Sequence, residues 1–219
     1  MSSDTPLPTQ KLYRTATILA LITIGYNILE GVVSVLLGAA DETLSLFGFG
    51  LDSFVEVVSG FGIWHMLRRL QQGEAESRDA VEQRALRITG GAFYLLAAGL
   101  VISAGLSLWS GHRPTTTFWG VVVALVSIAS MWLLTREKIK VGKALNSAAI
   151  LADAACTRTC LVLSVALLLA SAGYELTGIG QLDAIGSLVI AWLSLKEGQE
   201  AFAKSKGQGC SCSCNCKGS

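Results

Sequence analysis

The sequence predicts an all-α membrane protein of six transmembrane helices with N- and C-termini cytoplasmic, and three observations lead to this fold class. Hydrophobic residues make up 52% of the 219 residues and charged residues only 15%, with a mean hydropathy of +0.54. Six apolar runs approach the ~20 residues that cross a bilayer. Basic residues concentrate in alternate connections between these runs. Soluble domains are more polar than this.

The six apolar runs divide the chain into three parts. A polar N-terminus covers residues 1–12, a six-helix transmembrane domain covers residues 13–202, and a cysteine-rich tail covers residues 203–219. The N-terminus lacks the basic segment of a cleaved signal peptide, so the first run is predicted to be a membrane span. The predicted spans are Tyr13–Leu37, Thr43–Leu67, Leu86–Ser110, Thr117–Leu134, Ser147–Tyr174 and Asp183–Phe202.

The connections between the predicted spans differ in charge. Lys11 and Arg14 precede the first span, five arginines lie within Arg68–Arg87, and four basic residues lie within Arg136–Lys143. The opposite connections are short and poor in basic residues. By the positive-inside rule the basic connections face the cytoplasm, which places both termini there. We therefore expect a multi-pass protein of the cell (inner) membrane.

Two carboxylates lie within the second predicted span. Asp52 and Glu56 are four residues apart in FGFGLDSFVEVVSG, which places them on one face of a helix. An ionised group near the bilayer midplane costs at least ~2.5 kcal/mol, so such residues usually face a cavity or a partner. The alternative is a protonated or hydrogen-bonded pair that serves only helix packing.

Two cysteines repeat the same spacing in the fifth predicted span. Cys156 and Cys160 lie in ADAACTRTCLVLS, although a cysteine taken alone in such a run is more often a small buried hydrophobe than a ligand. Counting ~1.5 Å per residue from the span ends brings both pairs to the midplane, with Asp52 level with Cys160 and Glu56 level with Cys156. Two carboxylates and two thiols can form a tetrahedral cation site, in which sulfur favours soft or borderline ions such as Zn²⁺, Cd²⁺ or Cu⁺.

These motifs resemble those of the cation diffusion facilitator (cation efflux) family. The resemblance implies a proton-coupled exporter of divalent metals. In that family the transport site is formed by a D/H-x-x-x-D pair on helix two and an H/D-x-x-x-D pair on helix five. Here DSFVE supplies the first pair, and CTRTC stands where relatives commonly have HTRSD. The resemblance extends over NILEGVVS in span one, VGKALNSAAILADA before span five and LDAIGSLVIAW in span six.

The sequence departs from the family pattern at three places. Glu56 replaces the usual Asp, and Cys156 and Cys160 replace His and Asp, which disfavours hard ions such as Mn²⁺ and Mg²⁺. The cytoplasmic domain that many relatives carry after helix six is not found, so the chain is expected to be a short form. The resemblance also implies a homodimer.

The C-terminal tail carries four cysteines within seven residues. They alternate in GCSCSCNCK at Cys210, Cys212, Cys214 and Cys216. Alternating thiols can bind a soft metal ion, as in metallothionein-like segments. The alternative is an unstructured tail with incidental cysteines.

Other polar residues of the spans have less specific interpretations. Asn27 and Glu30 share a face of span one and form either an outer relay or hydrogen bonds between helices. Asp153 precedes Cys156 by one turn and lines the cytoplasmic entrance or caps backbone, whereas Arg158 points off the cysteine face. Asp183 marks the outer start of span six.

The function predicted from these observations is proton-coupled efflux of a soft or borderline metal cation. Loading the site releases protons from thiols and carboxyls, and an empty site facing protons can rebind them. The alternatives are an importer of thiophilic metals and a membrane-anchored sensor or buffer that acts through the tail. We expect no enzymatic activity and no organic cofactor. We also expect no nucleic-acid partner, because 17 basic residues are balanced by 16 acidic ones.

Overall fold

The computed structural model describes residues 7–71, 78–111, 114–145 and 148–205. These residues form six α-helices and, within the described ranges, no strand. The helices are α1 (Leu7–Ala40), α2 (Leu44–Gln71), α3 (Arg78–Ser110), α4 (Phe118–Ala144), α5 (Ala148–Thr177) and α6 (Gln181–Ser205). The prediction of an all-helical chain with six helices is therefore confirmed.

Several helices continue beyond the predicted spans. Hydropathy identifies only the part of a helix that lies in hydrocarbon, whereas helical hydrogen bonding continues into water. Thus α4 extends past Leu134 through the basic segment Arg136–Lys143, which the sequence analysis assigned to a connection. In the same way α2 runs to Gln71 and α3 begins at Arg78.

Within the part of the chain that the structure describes, five helices are long and apolar enough to cross a membrane. These candidate spans are Lys11–Ala40, Leu44–Gly62, Gly90–Ser110, Phe118–Ala144 and Thr157–Thr177. The sixth helix does not meet the same standard, because its uncharged stretch is limited by Asp183 on one side and by Lys196 and Glu197 on the other. The prediction of a transmembrane α6 is thus not confirmed by length and composition.

The second helix is central to the bundle. It contacts α1, α3, α5 and α6, while the most extensive pairings are α1 with α2, α3 with α6, and α4 with α5. Small residues allow the close pairs to approach. A Cβ atom on Gly50 would lie 2.8 Å from the backbone nitrogen of Val35, and one on Gly120 would lie 2.2 Å from Ser171 Oγ. Glycine is therefore required at Gly50, where the obstruction includes backbone, whereas a larger residue at Gly120 would first displace the Ser171 hydroxyl.

Polarity is distributed in the manner of a membrane protein. Large apolar side chains face outward, among them Trp109 at 94% exposure and Leu95 at 78%. Serine hydroxyls are buried between the helices instead, as at Ser127, Ser164 and Ser194. An apolar exterior and a partly polar interior suit a hydrocarbon solvent.

Two carboxylates cap neighbouring helices at one end of the bundle, which we call the capped end. Asp183 of α6 accepts hydrogen bonds from the backbone nitrogens of Leu44 (2.9 Å) and Ser45 (3.1 Å) at the start of α2, and from the Ser45 hydroxyl. Glu175 of α5 accepts from the backbone nitrogen of Thr117 (2.5 Å) at the start of α4. Both caps satisfy amide groups that a helix leaves without partners in its first turn.

Candidate metal site

Asp52 and Glu56 lie on successive turns of α2, toward the interior of the bundle. Asp52 is 2% exposed and accepts a hydrogen bond from Ser194 Oγ on α6 at 3.2 Å. Eight residues separate it from Leu44 at the capped end, or about 12 Å along the helix. The carboxylates therefore lie well inside the apolar part of α2, as the sequence predicted.

Glu56 contacts two other helices through one oxygen. Asn27 Nδ2 on α1 donates to Glu56 Oε2 at 3.0 Å, and the thiol of Cys160 on α5 donates to the same oxygen. Asn27 is 2% exposed and Cys160 is 4% exposed. Side chains from α1, α2 and α5 thus meet at this carboxylate, and a thiol and a carboxylate are in direct contact inside the bundle.

The position of the cysteines along the bundle, relative to the two carboxylates of α2, differs from the expectation by one helical turn. Cys160 meets Glu56, whereas the sequence analysis placed Cys160 level with Asp52 and Cys156 level with Glu56. The expected levels would hold only if all spans began and ended at the same two planes. The helices instead have unequal lengths, and α5 continues to Thr177 beyond the predicted Tyr174. Residue counting from span ends could therefore not determine the register between α2 and α5.

The described side chains supply part of the predicted ligand set. Cys156 lies on α5 one turn before Cys160, and its side chain is outside the described residues. Among the described side chains, no three His, Cys, Asp or Glu groups are close enough to hold one ion. The structure thus brings Glu56 and Cys160 together and places Asp52 one turn away.

A second polar cluster lies beside the site and centres on Glu30 of α1. Its carboxylate accepts hydrogen bonds from Tyr26 OH (2.9 Å) and from Ser53 Oγ on α2 (3.1 Å). Glu30 is 7% exposed. Asn27 and Glu30 were expected to act together on one face of span one, but their side chains have different partners. Asn27 reaches Glu56, whereas Glu30 binds the hydroxyl of the residue that follows Asp52.

Two contributors to the interior were missed by the sequence analysis. Ser194 binds Asp52, and its only sequence signal is a hydroxyl within the apolar part of α6. Lys138 was assigned to a basic connection, but it lies on α4 at 1% exposure and donates to Thr157 Oγ1 at 2.9 Å. Its position next to the cysteine pair depends on the packing of α4 against α5.

The remaining predicted residues fall into two groups, those whose side chains the structure describes and those whose side chains it does not. Arg158 is exposed, in agreement with its exclusion as a ligand. Asp183 lies in the first turn of α6, where it caps α2. The side chain of Asp153 lies outside the described residues, and so do the four tail cysteines, Cys210, Cys212, Cys214 and Cys216.

Comparison with known proteins identifies one matching family. The model of the cation efflux transmembrane domain matches residues 16–206, which include all residues of the candidate site on α1, α2, α5 and α6. This family consists of transporters of metal cations and not of enzymes. No curated protein matches the chain.

Proposed function

We propose that this chain, which belongs to the cation efflux family, exports a soft or borderline transition-metal cation such as Zn²⁺ or Cd²⁺ in exchange for protons. The single observation that carries this proposal is the contact between the Cys160 thiol and Glu56 between α2 and α5. Asp52 and Cys156, each one turn away on the same two helices, complete a proposed ligand set of two carboxylates and two thiols.

The thiol–carboxylate contact explains how metal and proton would exchange. Cys160 binds a metal as the thiolate, so its proton must leave when the ion arrives. The ion then occupies the position of that proton, between sulfur and the Glu56 oxygen. When the ion leaves toward the outer side, a proton returns to the thiol. The sulfur ligands favour soft ions over Mn²⁺ and Mg²⁺.

The proposed topology has six spans with both termini in the cytoplasm. The described basic residues at the end opposite to the capped end include Arg68, Arg136 and Lys143, and this charge favours the cytoplasmic side. The capped end would then face outward. We assign α6 to the membrane despite its charges, because it packs along α3 and its Ser194 reaches Asp52.

The cysteine tail would act before transport. Under the proposed topology Cys210, Cys212, Cys214 and Cys216 lie on the side from which an exporter loads, so the tail would capture soft ions and raise their local concentration. Deleting residues 210–216 distinguishes a transporter from a tail-based buffer. A transporter keeps proton-driven flux in liposomes without the tail, whereas a buffer loses its protective effect in cells.

Transport assays in proteoliposomes test the central proposal. We expect an imposed pH gradient to drive Zn²⁺ or Cd²⁺ flux by the intact chain, and Asp52→Ala and Cys160→Ala to abolish it. Glu137→Gln is the matched control, since it removes a carboxylate of α4 whose side chain is 40% exposed and which pairs with the exposed Lys140, at 3.9 Å. Unchanged flux in both site variants would show that the site is wrong.

The direction of flux separates export from import. With the protein oriented by its tail, an exporter moves metal from the tail side to the opposite side when protons are abundant on the opposite side. Movement toward the tail side under the same gradient would replace the proposal by metal import.

A further inference from the structure

The Glu30 carboxylate is a buried acid that the proposed metal site does not use. Its two oxygens are occupied separately, since Oε1 accepts from Tyr26 OH and Oε2 accepts from Ser53 Oγ. The Ser127 hydroxyl on α4 also interacts with it. A carboxylate at 7% exposure is thus surrounded by hydroxyls from three helices.

Hydroxyl partners allow this carboxylate to exist in two protonation states. The Tyr26 and Ser53 hydroxyls each donate to an ionised oxygen, and after a small rotation each can accept from a protonated one. Amide donors, such as those at Asp183, cannot make this change because they only donate. The surroundings of Glu30 can therefore accommodate gain or loss of a proton without movement of the helices.

Glu30 is close enough to the metal site to respond to its charge. It interacts electrostatically with both Asp52 and Glu56, although its hydrogen-bond partners differ from theirs. In a low-dielectric interior such an interaction is strong. A cation bound between the ligands favours ionised Glu30, and departure of the cation favours its protonation.

The other titratable groups near Glu30 are few among the described residues. Tyr26 faces it from α1, Asp52 and Glu56 lie on α2, and Cys160 interacts with it electrostatically from α5. On α4 the charged segment Arg136–Lys143 begins nine residues after Ser127, or about 14 Å along the helix. No described cation in this part of α4 therefore replaces the metal as a partner for the carboxylate.

Hydroxyls also connect this cluster to the helix of the cysteines. Ser127 Oγ lies 2.8 Å from Ser164 Oγ on α5, and Ser164 donates to the backbone oxygen of Cys160 at 2.8 Å. Both serines are fully buried. Glu30 is thus linked to α2 through Ser53 and to α5 through a pair of hydroxyls, and these two helices carry the proposed ligands.

We propose that Glu30 is a proton-binding site distinct from the metal ligands, which binds a proton when the metal leaves and releases it when the metal binds. This inference rests on the proposed function. Per cycle, a proton from the outer side adds to a Glu30 oxygen, and the same proton dissociates toward the cytoplasm as the next cation loads. Binding of metal and binding of this proton oppose each other by reciprocal linkage.

Proton release on metal binding tests the proposal on the purified full chain. Zn²⁺ is added to weakly buffered protein in detergent, and the protons released per bound ion are counted. Glu30→Gln is expected to release about one proton fewer per ion than the intact chain, with a shallower dependence of Zn²⁺ affinity on pH. Glu30→Asp should restore the lost proton, and Tyr26→Phe, which keeps the carboxylate, should retain it.

The outcomes separate a proton site from a structural residue. The proposal would be overturned if Glu30→Gln released as many protons per bound ion as the intact chain. It would also be overturned if Glu30→Gln lost Zn²⁺ binding as completely as Asp52→Ala does. In proteoliposomes Glu30→Gln should still exchange Zn²⁺ when the pH is equal on both sides, but a pH gradient should accelerate its Zn²⁺ flux at least ~10-fold less than that of the intact chain.

A labelling measurement keeps the proposal independent of transport. A hydrophobic carbodiimide modifies buried carboxyl groups in their protonated form, and mass spectrometry locates the product. We expect labelling of Glu30 in the intact chain that decreases as pH rises and also decreases when Zn²⁺ is added. If the extent of Glu30 labelling changes neither with pH nor on addition of Zn²⁺, Glu30 is not the proposed proton-binding site. If the intact chain shows no metal flux driven by a pH gradient, it is the proposed function that is refuted instead.

Discussion

Asp183 at the capped end and Glu56 in the middle of the bundle are carboxylates with opposite surroundings. Asp183 accepts from two backbone nitrogens and a hydroxyl, all of which belong to the first turn of α2. Glu56 shares one oxygen between an amide and a thiol that can lose its proton. The first set of partners is permanent, and the second can be replaced by a cation.

This difference separates structural acids from functional ones in the same membrane domain. A carboxylate saturated by amide donors completes a helix terminus and is costly to remove. A carboxylate with an exchangeable partner is less completely satisfied, so a metal ion competes with that partner. The number of acids in a span is therefore less informative than the partners each acid has.

The largest effect on stability is expected for Asp183→Ala. This change leaves two amides and a hydroxyl at the start of α2 without their acceptor, at a cost of about 2 to 4 kcal/mol in unfolding free energy. Thermal unfolding in detergent, followed by tryptophan fluorescence, measures it. Zn²⁺ affinity of the folded fraction should stay within about threefold of the intact chain, and a much larger loss of affinity would make Asp183 part of the site.

The next effect is a change of metal preference in Cys160→Ser. Serine keeps a hydrogen-bond donor for Glu56 but replaces a soft ligand with a hard one. We expect affinity for Cd²⁺ to fall about tenfold relative to affinity for Mg²⁺ or Mn²⁺. Competition binding to the purified chain measures the ratio, and Arg158→Gln, at an exposed position of the same helix, is the control. An unaltered ratio would remove Cys160 from the ligands.

Asp52→Asn is expected to have a smaller effect on stability than Asp183→Ala, and in the opposite direction. The amide oxygen still accepts from Ser194, and the cost of burying a charge disappears. Unfolding free energy should be unchanged or higher by about 1 kcal/mol, although transport is lost. A strong destabilisation would place Asp52 with Asp183 among the structural acids.

The smallest effect is expected for Glu175→Gln. This residue is exposed, and its Oε1 accepts from Thr116 Oγ1 (2.7 Å) and the Thr117 backbone nitrogen (2.5 Å). Glutamine keeps an oxygen acceptor, and water can solvate the helix start, so the loss should stay below about 1 kcal/mol. A loss equal to that of Asp183→Ala would show that burial does not distinguish the two caps.

Composition and spacing determined much of the outline of the protein. Long apolar runs predicted six helices because hydrocarbon requires that backbone groups be satisfied within a segment. The four-residue spacing of Asp52 and Glu56 predicted one helical face, and the motifs on α2 and α5 indicated the family that the match over residues 16–206 establishes. All of these features are local or depend on chemical type alone.

Only the tertiary structure decided which residues meet. The register between α2 and α5 pairs Cys160 with Glu56, and it follows from helix lengths and side-chain packing that periodicity does not encode. The same holds for Asn27 at Glu56, for Ser194 at Asp52 and for the capping of α2 by Asp183 across 139 residues of sequence. A helix face can be predicted from one segment, but the level at which two helices meet depends on the whole bundle.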